Sequence, residues 1–214
     1  MSNPKASLPV IRRLPRYFRY ISELKSAGKT RVSSSQLAAI MGSTPSQVRQ
    51  DFNCFGGFGQ QGIGYSVELL HDEIHSLLFP NASINAVLVG AGSLGATIAN
   101  FVLTDTEGVN LTAIFDNNIN LVGKTLHNIR ILNADDIVEY CHSNKVDLII
   151  VCIPKHAAEK FAPTLSKTDV KGVWNFSHYD FGIFDKSLVV ENVHLRDSLM
   201  ALSYRIGHIE EEAE

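Results

Sequence analysis

Residues 87–95 read Val-Leu-Val-Gly-Ala-Gly-Ser-Leu-Gly, and this stretch decides the fold of the second part of the chain. An apolar run that turns through G-x-G-x-x-G predicts a buried strand followed by a helix. Glycines at these positions allow a tight turn and a close approach of the backbone to a pyrophosphate. The stretch therefore predicts a dinucleotide-binding unit. In a dehydrogenase such a unit usually opens the chain, whereas here roughly eighty residues precede it.

Apolar strands alternate with helical stretches after this motif. Strands are expected at 84–89, 111–115, 148–153 and 172–176, with helices between them, of which the first spans 94–103. This alternation is typical of a doubly wound α/β domain, that is, a Rossmann-type parallel sheet.

Asp116 ends the second predicted strand, 21 residues beyond Gly95. A carboxylate there accepts hydrogen bonds from the adenosine ribose and repels a 2′-phosphate, which favours NAD(H) over its phosphorylated relative. The alternative interpretation is that Asp116 caps a turn with Asn117.

Composition excludes several classes of protein. The chain has 214 residues, of which 45% are hydrophobic and 19% charged, as in ordinary globular proteins. No apolar run approaches a membrane span, and no signal-peptide core is present, so we expect a cytoplasmic protein without membrane association. Cys54, Cys141 and Cys152 lack metal-ligand spacing, and we expect reduced thiols and no metal site. Cys152 is interpreted as an inert core residue.

Charge is divided unequally along the chain. Residues 1–65 hold nine basic and two acidic side chains, a net charge of +7, which leaves −10 for the remainder of a chain whose net charge is −3. A cationic region joined to an anionic one indicates a polyanionic partner for the first region.

The basic region predicts a helix-turn-helix. Pro15 is expected to open a first helix that ends at Gly28. A second helix follows the serines at 33–35 and ends at Gly42, and Thr44 is expected to cap a third helix over 46–52. The third helix is expected to bury Val48 and Phe52. Its outward residues are side chains that can read base edges in a major groove, namely Ser46, Gln47, Arg49 and Gln50.

Five glycines among aromatic residues lie at 55–65, after the third helix. They predict a tight hairpin, which after a recognition helix becomes the wing of a winged helix. A further amphipathic helix over 66–79 leads to Pro80-Asn81, a natural boundary. We therefore expect a winged-helix DNA-binding domain at 1–80 and a nucleotide-binding domain at 81–192. A C-terminal helix at 193–214 carries large apolar residues that indicate docking onto a second subunit, and its acidic end, 210–214, is expected to be solvated.

An enzyme is the rival interpretation. A small NAD-dependent oxidoreductase with an N-terminal oligomerisation module would need a catalytic acid or base, and His156, His178 and His194 each lack a visible partner. No catalytic residue is therefore assigned, and we expect the protein not to be an enzyme. A third alternative is a nucleotide-binding regulator whose winged helix contacts protein.

Taken together, these features resemble the Rex family of bacterial redox-sensing transcriptional repressors over nearly the whole chain. The matching segments are 13–20, 33–37, 48–52, 55–59, 62–65, 90–95, 115–116, 153–154, 175–176 and the C-terminal helix. The resemblance implies a homodimer with a C-terminal helix exchanged between subunits. It also implies that NADH releases the protein from palindromic double-stranded operator DNA, whereas NAD⁺ competes for the same pocket and favours the DNA-bound form.

Site residues follow from the motifs together with the resemblance. The cofactor-binding set is Gly90, Ala91, Gly92, Ser93, Leu94, Gly95, Asp116, Asn117, Ile153, Pro154, Asn175, Phe176 and Ser177. The DNA-binding set is Arg12, Arg13, Arg16, Ser46, Gln47, Arg49, Gln50, Phe58, Gly59, Gln60 and Gln61. The three N-terminal arginines are expected to contact phosphate or to face the seam between the domains.

The chain departs from the family pattern at several positions. The wing carries Gln60-Gln61 where a basic pair is common, which should weaken phosphate attraction. Phe101 and His194 stand where a Tyr and an Asp are often found, so the interdomain ion pair of the family is not carried over. Ser177-His178 replaces the usual Ala-Pro, which alters the expected surroundings of the nicotinamide.

Overall fold

A computed structural model describes residues 6–55, 59–60, 64–79 and 83–208. The chain divides into two compact units, Met1–Ala82 and Ser83–Glu214. The expectations for Phe58 and Gln61, for the side chain of Gln60, for Pro80-Asn81 and for the acidic end at 210–214 lie outside the described residues. Across the described part, no helix is both long enough and apolar enough to cross a membrane.

The first unit contains four helices and a small antiparallel sheet. The helices are α1 (Leu8–Ser26), α2 (Ser34–Met41), α3 (Pro45–Asn53) and α4 (Val67–Leu78), and the strands are β1 (Arg31–Val32), β2 (Gly59–Gln60) and β3 (Gly64–Ser66). The strand order is β1-β3-β2, so that β2 and β3 form the predicted hairpin. One hydrophobic core holds the unit together, and its largest fully buried side chains are Tyr17, Ile21, Leu37, Phe52, Leu70 and Ile74.

The expected start of α1 was wrong. The helix begins at Leu8, and Pro15 lies inside it. Pro9 occupies the first turn, where its missing N–H costs nothing, and the buried residues Val10 and Leu14 extend the apolar stripe upstream of Tyr17. Burial of that stripe outweighs the cost of an interior proline.

The starts and ends of α2 and α3 match the sequence expectation. Ser33 caps α2 by accepting a hydrogen bond from the Gln36 amide, and Gly42 ends it at a φ of 61°. Thr44 caps α3 by accepting from the Gln47 amide, with Pro45 at the first position of the helix.

The second unit is a seven-stranded sheet with helices on both faces. Its strands are β4 (Ile84–Val89), β5 (Val109–Asp116), β6 (Thr125–Leu126), β7 (Ile129–Asn133), β8 (Leu148–Val151), β9 (Gly172–Asn175) and β10 (Val189–Asn192). The helices are α5 (Ser93–Asp105), α6 (Ile137–Asn144), α7 (Lys155–Leu165), α8 (Phe181–Phe184) and α9 (Leu195–Gly207). The order is β10-β9-β8-β4-β5-β7-β6, and every pair is parallel except β6 with β7.

This strand order places a ligand site. Leaving aside the short edge strand β6, the chain runs outward from β4 to β7 and then returns to β8 on the other side of β4. Ligands of such sheets bind outside the carboxyl ends of the strands at the point where the order reverses, here between β4 and β8. Alternate residues of β4 enter separate cores on the two faces, with Val87 and Val89 on one side and Ala86 and Leu88 on the other.

Candidate nucleotide cleft and nucleic-acid surface

The three motif glycines have different structural roles. Gly90 adopts a φ of 102°, and a Cβ there would lie 2.7 Å from the carbonyl oxygen of Cys152. A Cβ at Gly95 would collide with the carbonyl oxygen of Gly90, so this glycine allows α5 to pack against the loop. Gly92 has open space around its Cβ position, and it leaves the backbone accessible at the start of α5.

The start of α5 is suited to an anion. Gly92 occupies the cap position, and no side chain of the described residues caps the helix. The first amides of an α-helix have no partner within the helix, and they carry the positive end of its dipole. A pyrophosphate at this terminus would meet free N–H donors, as predicted for Ser93, Leu94 and Gly95.

Asp116 accepts two backbone hydrogen bonds at the end of β5. One carboxylate oxygen accepts a hydrogen bond of 2.7 Å from the Ala91 amide in the glycine-rich loop, and the other accepts one of 2.7 Å from the Asn118 amide. The side chain therefore shapes a turn and holds the loop. Together with Asn117, Asp116 also lines a cavity at the carboxyl ends of the strands, called the cleft below. This position agrees with the expected ribose contact.

Two of the cavities at the carboxyl ends of the strands adjoin each other around Ile153 and Pro154. The larger, of about 600 Å³, brings together Gly90, Gly92, Asp116, Asn117, Ile153 and Pro154 of the predicted set. The smaller, of about 240 Å³, shares Ile153 and Pro154 with it and adds Leu94, Phe176 and Ser177. The cavities together run from the end of β5 past β4 and β8 to the end of β9.

Asn175 does not line either cavity. Its side chain is fully buried, where the amide donates to the Tyr179 carbonyl and to the Asn192 side chain, each at 2.7 Å. Its carbonyl oxygen accepts from the amide and hydroxyl of Ser177. The side chain of Asn175 therefore holds the loop that carries Phe176 and Ser177, and its contact with a cofactor stays a prediction.

Sequence reasoning missed one wall of the larger cavity. Helix α7 contributes residues on one helical face, namely His156, Ala157, Lys160, Phe161 and Thr164, and the turn before α6 adds Ala134 and Asp135. The spacing of these α7 residues gave the available signal, because positions three or four apart share a face of the helix, which follows the predicted Pro154.

Two of the three cysteines, Cys141 and Cys152, are thiols whose pKa is raised by burial. Burial raises the pKa of Cys141 to about 11 and that of Cys152 to about 12. Cys152 was expected to be a core residue, but it lines both cavities. Among the described residues, no cluster of three metal-ligating side chains occurs.

The outward face of α3 carries exposed polar side chains. Ser46, Arg49 and Gln50 are exposed, whereas Val48 and Phe52 are fully buried, as predicted. The Arg49 guanidinium donates to the hydroxyls of Ser34 and Ser46 at 3.1 and 3.0 Å, which holds it over the junction of α2 and α3.

Arg13 and Gln47 have internal partners that the sequence did not reveal. The guanidinium of Arg13 makes two hydrogen bonds of 2.7 Å to the buried carboxylate of Asp51. Gln47 donates to the same carboxylate at 2.8 Å, and Tyr17 does so at 2.9 Å. Both side chains expected to contact DNA are thus bound to Asp51. Arg12 and Arg16 lie exposed on α1.

Two of the candidate histidines lie together. The rings of His178 and His194 are 5.4 Å apart and nearly parallel, a contact that the sequence did not show. His156 lines the larger cavity instead. Phe101, which replaces the common Tyr, packs 6.3 Å from the ring of Trp174.

Known proteins resemble this chain in both units. The family described as "Putative DNA-binding protein N-terminus" matches residues 5–53, and the family described as "CoA binding domain" matches residues 81–179. The redox-sensing transcriptional repressor Rex of Clostridium botulinum (strain Hall) is 44% identical over 95% of this chain and 97% of that protein. Rex of Clostridioides difficile (strain 630) is 44% identical with the same coverage.

Solved structures agree with these relatives. The repressor RSP in complex with β-NAD⁺ and operator DNA superposes with a TM-score of 0.88 at 41% identity, covering 97% of this chain and 95% of that one. RSP in complex with β-NADH gives a TM-score of 0.88 at 39% identity, covering 98% of each chain. With a relative 44% identical over nearly its whole length, the chain belongs to the Rex family of redox-sensing transcriptional repressors.

Proposed function

We propose that this protein represses transcription by binding palindromic operator DNA, and that NADH in the cleft of the second unit releases it. NAD⁺ competes for the same cleft and favours the DNA-bound form, so the protein reports the ratio of NADH to NAD⁺. The observation that carries the proposal is the glycine-rich cleft with Asp116 on the same chain as the helix-turn-helix. The complexes of RSP with NAD⁺ and operator DNA, and with NADH, support it.

The direction of the bound dinucleotide follows from the strand order. Asp116, at the end of β5, takes the adenosine ribose, and the start of α5 takes the pyrophosphate. The nicotinamide then lies on the other side of β4, at the smaller cavity after β8 and β9. Lys160 and His156 line the larger cavity, which in this orientation holds the adenosine half of the dinucleotide.

The DNA-binding surface is a winged helix in this proposal. Helix α3 enters the major groove with Ser46, Arg49 and Gln50, and the β2–β3 hairpin is the wing. Arg12 and Arg16 contact phosphates. Arg13 and Gln47 instead hold α3 against α1 through Asp51.

The nucleotide acts as a signal and is not turned over. A hydride-transfer enzyme needs a catalytic acid or base beside the nicotinamide together with a substrate pocket. The relatives are named as transcriptional repressors, which supports the proposal that the nucleotide is not turned over. We further propose a cytoplasmic homodimer, in which α9 docks onto a second copy and the domains run over 1–80, 81–192 and 193–214.

A mobility shift of an operator fragment, titrated with NADH and with NAD⁺ at fixed salt, tests the proposal. Release by NADH at a much lower concentration than by NAD⁺ is the expected result. The absence of any shift would refute operator binding, and steady turnover of NADH with a carbonyl substrate would favour the oxidoreductase.

The variant Asp116→Ala tests the cofactor assignment. Loss of the carboxylate removes the acceptor for the ribose hydroxyls and the charge that repels a 2′-phosphate. NAD(H) should therefore bind more weakly, and the preference for NAD(H) over NADP(H) should decrease. Calorimetry with both cofactor pairs measures this. If neither affinity changed, Asp116 would not be the ribose-binding residue.

A further inference from the structure

A third cavity, of about 390 Å³, lies at the carboxyl ends of β5 and β7. The residues that line it are Asn117, Ile119, Val122, Asn133 and Asp135. Asn117 and Asp135 also line the larger cavity, so the third cavity continues the cleft beyond Asp116. Asp116 of β5 pairs with Asn133 of β7, which places the third cavity one strand farther from β4.

The strand order indicates which part of a bound dinucleotide reaches this cavity. In the proposed function the pyrophosphate lies at the start of α5, after β4, and the ribose lies at Asp116, at the end of β5. The phosphate and the base are attached to opposite sides of the ribose, so the base extends away from β4 and toward the end of β7. The adenine ring is therefore expected where the larger cavity opens into the third one, next to Asn117 and Asp135.

Ile119 presents an apolar surface to this cavity, although 86% of the residue is exposed. Hydrogen bonds order the loop that carries it. The side chain of Asn118 accepts from the Asn120 amide at 3.0 Å, and its backbone carbonyl accepts from the Val122 amide at 3.1 Å. Asp116 accepts from the Asn118 amide and fixes the start of the loop. A flat aromatic ring placed against Ile119 would remove this apolar surface from water, which is favourable.

Asp135 is the one charged side chain among the described residues that line the third cavity. It is exposed, and its backbone amide donates to the side-chain oxygen of Asn133 at 3.1 Å, which fixes the turn after β7. An ionised carboxylate only accepts hydrogen bonds. The 6-amino group of adenine is a donor, whereas hypoxanthine carries an acceptor oxygen at the same position.

We infer that Asp135 selects adenine by accepting a hydrogen bond from its 6-amino group, and that Ile119 covers one face of the ring. The inference rests on the proposed function and deepens it, because it names the residues that recognise the base. Ile119 contacts the face of any purine and adds affinity without selecting among purines. Asp135 contacts the edge of the ring, where an oxygen at position 6 would leave two acceptors facing each other. Hypoxanthine recovers part of this loss through the N–H at its neighbouring ring position, so the preference is moderate.

Calorimetry on the full chain, with NADH and with reduced nicotinamide hypoxanthine dinucleotide, tests this inference. The unmodified protein should bind NADH about tenfold more tightly, because the analogue loses one hydrogen bond to a charged acceptor. In Asp135→Asn the preference should disappear, since a side-chain amide can accept from an amino group or donate to an oxygen. In Ile119→Ala both ligands should bind several-fold more weakly, and the preference for NADH should remain.

Asp136→Asn is the matched control. Asp136 is also exposed, lines none of the three cavities, and makes no capping hydrogen bond with its side chain at the start of α6. This variant removes the same charge one residue away and should keep the preference for NADH.

Equal affinity of the unmodified protein for the two ligands, or an undiminished preference in Asp135→Asn, would overturn the role of Asp135 and leave the proposed function intact. Unchanged affinities in Ile119→Ala would overturn the role of Ile119. Failure of the unmodified protein to bind either ligand would overturn the proposed function itself.

Discussion

The carboxylate of Asp51 is fully buried and accepts four hydrogen bonds, two from Arg13 and one each from Tyr17 and Gln47. Burial alone would raise the pKa of Asp51, but the hydrogen bonds from Arg13, Gln47 and Tyr17 outweigh burial and lower it. Burial and the bond to Asp51 raise the pKa of Tyr17. Asp51 therefore works as an anion that joins α3 to α1.

Replacing Asp51 with Asn should destabilise the N-terminal unit by about 2–4 kcal/mol, because a partly buried guanidinium loses its counter-charge. Since folding lowers the pKa of Asp51, its stabilisation is present above the usual Asp pKa of about 3.9 and is lost as the pH falls through the lowered value. The difference between the two proteins in urea unfolding should thus be large at neutral pH and shrink in acid.

Asp72→Asn provides the control for this measurement. Asp72 is exposed and pairs with Lys25 and His71 at the surface, where ion pairs contribute little to stability. An equal loss of stability in both variants would show that burial of Asp51 is not what matters.

Arg49→Ala tests base recognition. Arg49 is exposed on α3 and held by two serine hydroxyls, a geometry that pre-orders a guanidinium for a base edge. Its loss should cost about 1–3 kcal/mol of operator binding if it makes a bidentate base contact. Titrations on operator and random DNA at one salt concentration distinguish the roles, because an equal loss on both would assign Arg49 to the phosphate backbone.

The role of a single residue could be predicted from the sequence only where its neighbours along the chain indicated that role. The place of Asp116 at the cleft follows from its position after an apolar strand and a glycine motif, and sequence reasoning found it. The bond between Arg13 and Asp51 joins positions 38 residues apart, and no spacing rule reveals it. For this reason Gln47 was predicted as a base-reading residue although Asp51 holds its side chain.

At the scale of elements, two glycines at the junction of β4 and α5 have different roles: Gly95 allows close packing, and Gly92 leaves the backbone accessible to the nucleotide. In Gly95→Ala the new methyl group collides with the Gly90 carbonyl, so α5 must move away from the loop and both stability and nucleotide binding should fall. In Gly92→Ala the methyl group enters open space at an ordinary φ of −70°, so the fold should be retained. Because Gly92 lines the cleft, nucleotide affinity alone should fall.

Thermal unfolding and calorimetry on the two glycine variants measure this difference. We expect a melting temperature lowered by several degrees only in Gly95→Ala, which corresponds to roughly 1–2 kcal/mol for a domain of this size. Unchanged NADH affinity in Gly92→Ala would indicate that the pyrophosphate does not approach this backbone.

Strongly apolar elements were the predictable ones. Strand β4 has the expected bounds, and β5, β8 and β9 lie where the apolar runs indicated, since strands buried on both faces are apolar throughout. Strands β7 and β10 lie toward the edges of the sheet and are partly exposed, so their mixed sequences gave no clear pattern. Helix α1 began earlier than expected because Pro9, and not Pro15, stands at its first turn.

At the scale of the molecule, the two units differ in core and in charge. Each has its own hydrophobic core, and the positive charge lies in the part of the chain that carries the helix-turn-helix. This separation lets one unit bind a polyanion while the other binds a dinucleotide, and it was already visible in the distribution of charged residues.

Helix α9 has no buried residue. Leu195, Leu199, Leu202 and Ile206 follow one another at helical spacing, so they share a face, and each is between 51% and 64% exposed. A continuous apolar face of this kind is unusual on an isolated chain and is expected to be covered by a second copy.

The double variant Leu199→Glu with Ile206→Glu should therefore sediment as a monomer at micromolar concentration. Its affinity for a palindromic operator should fall on the order of a hundredfold, because the two half-sites are no longer bound by linked domains. Ala201→Glu, placed on α9 away from that face, should leave both properties unchanged. A double variant that sediments like the unmodified protein would show that dimerisation does not depend on this face.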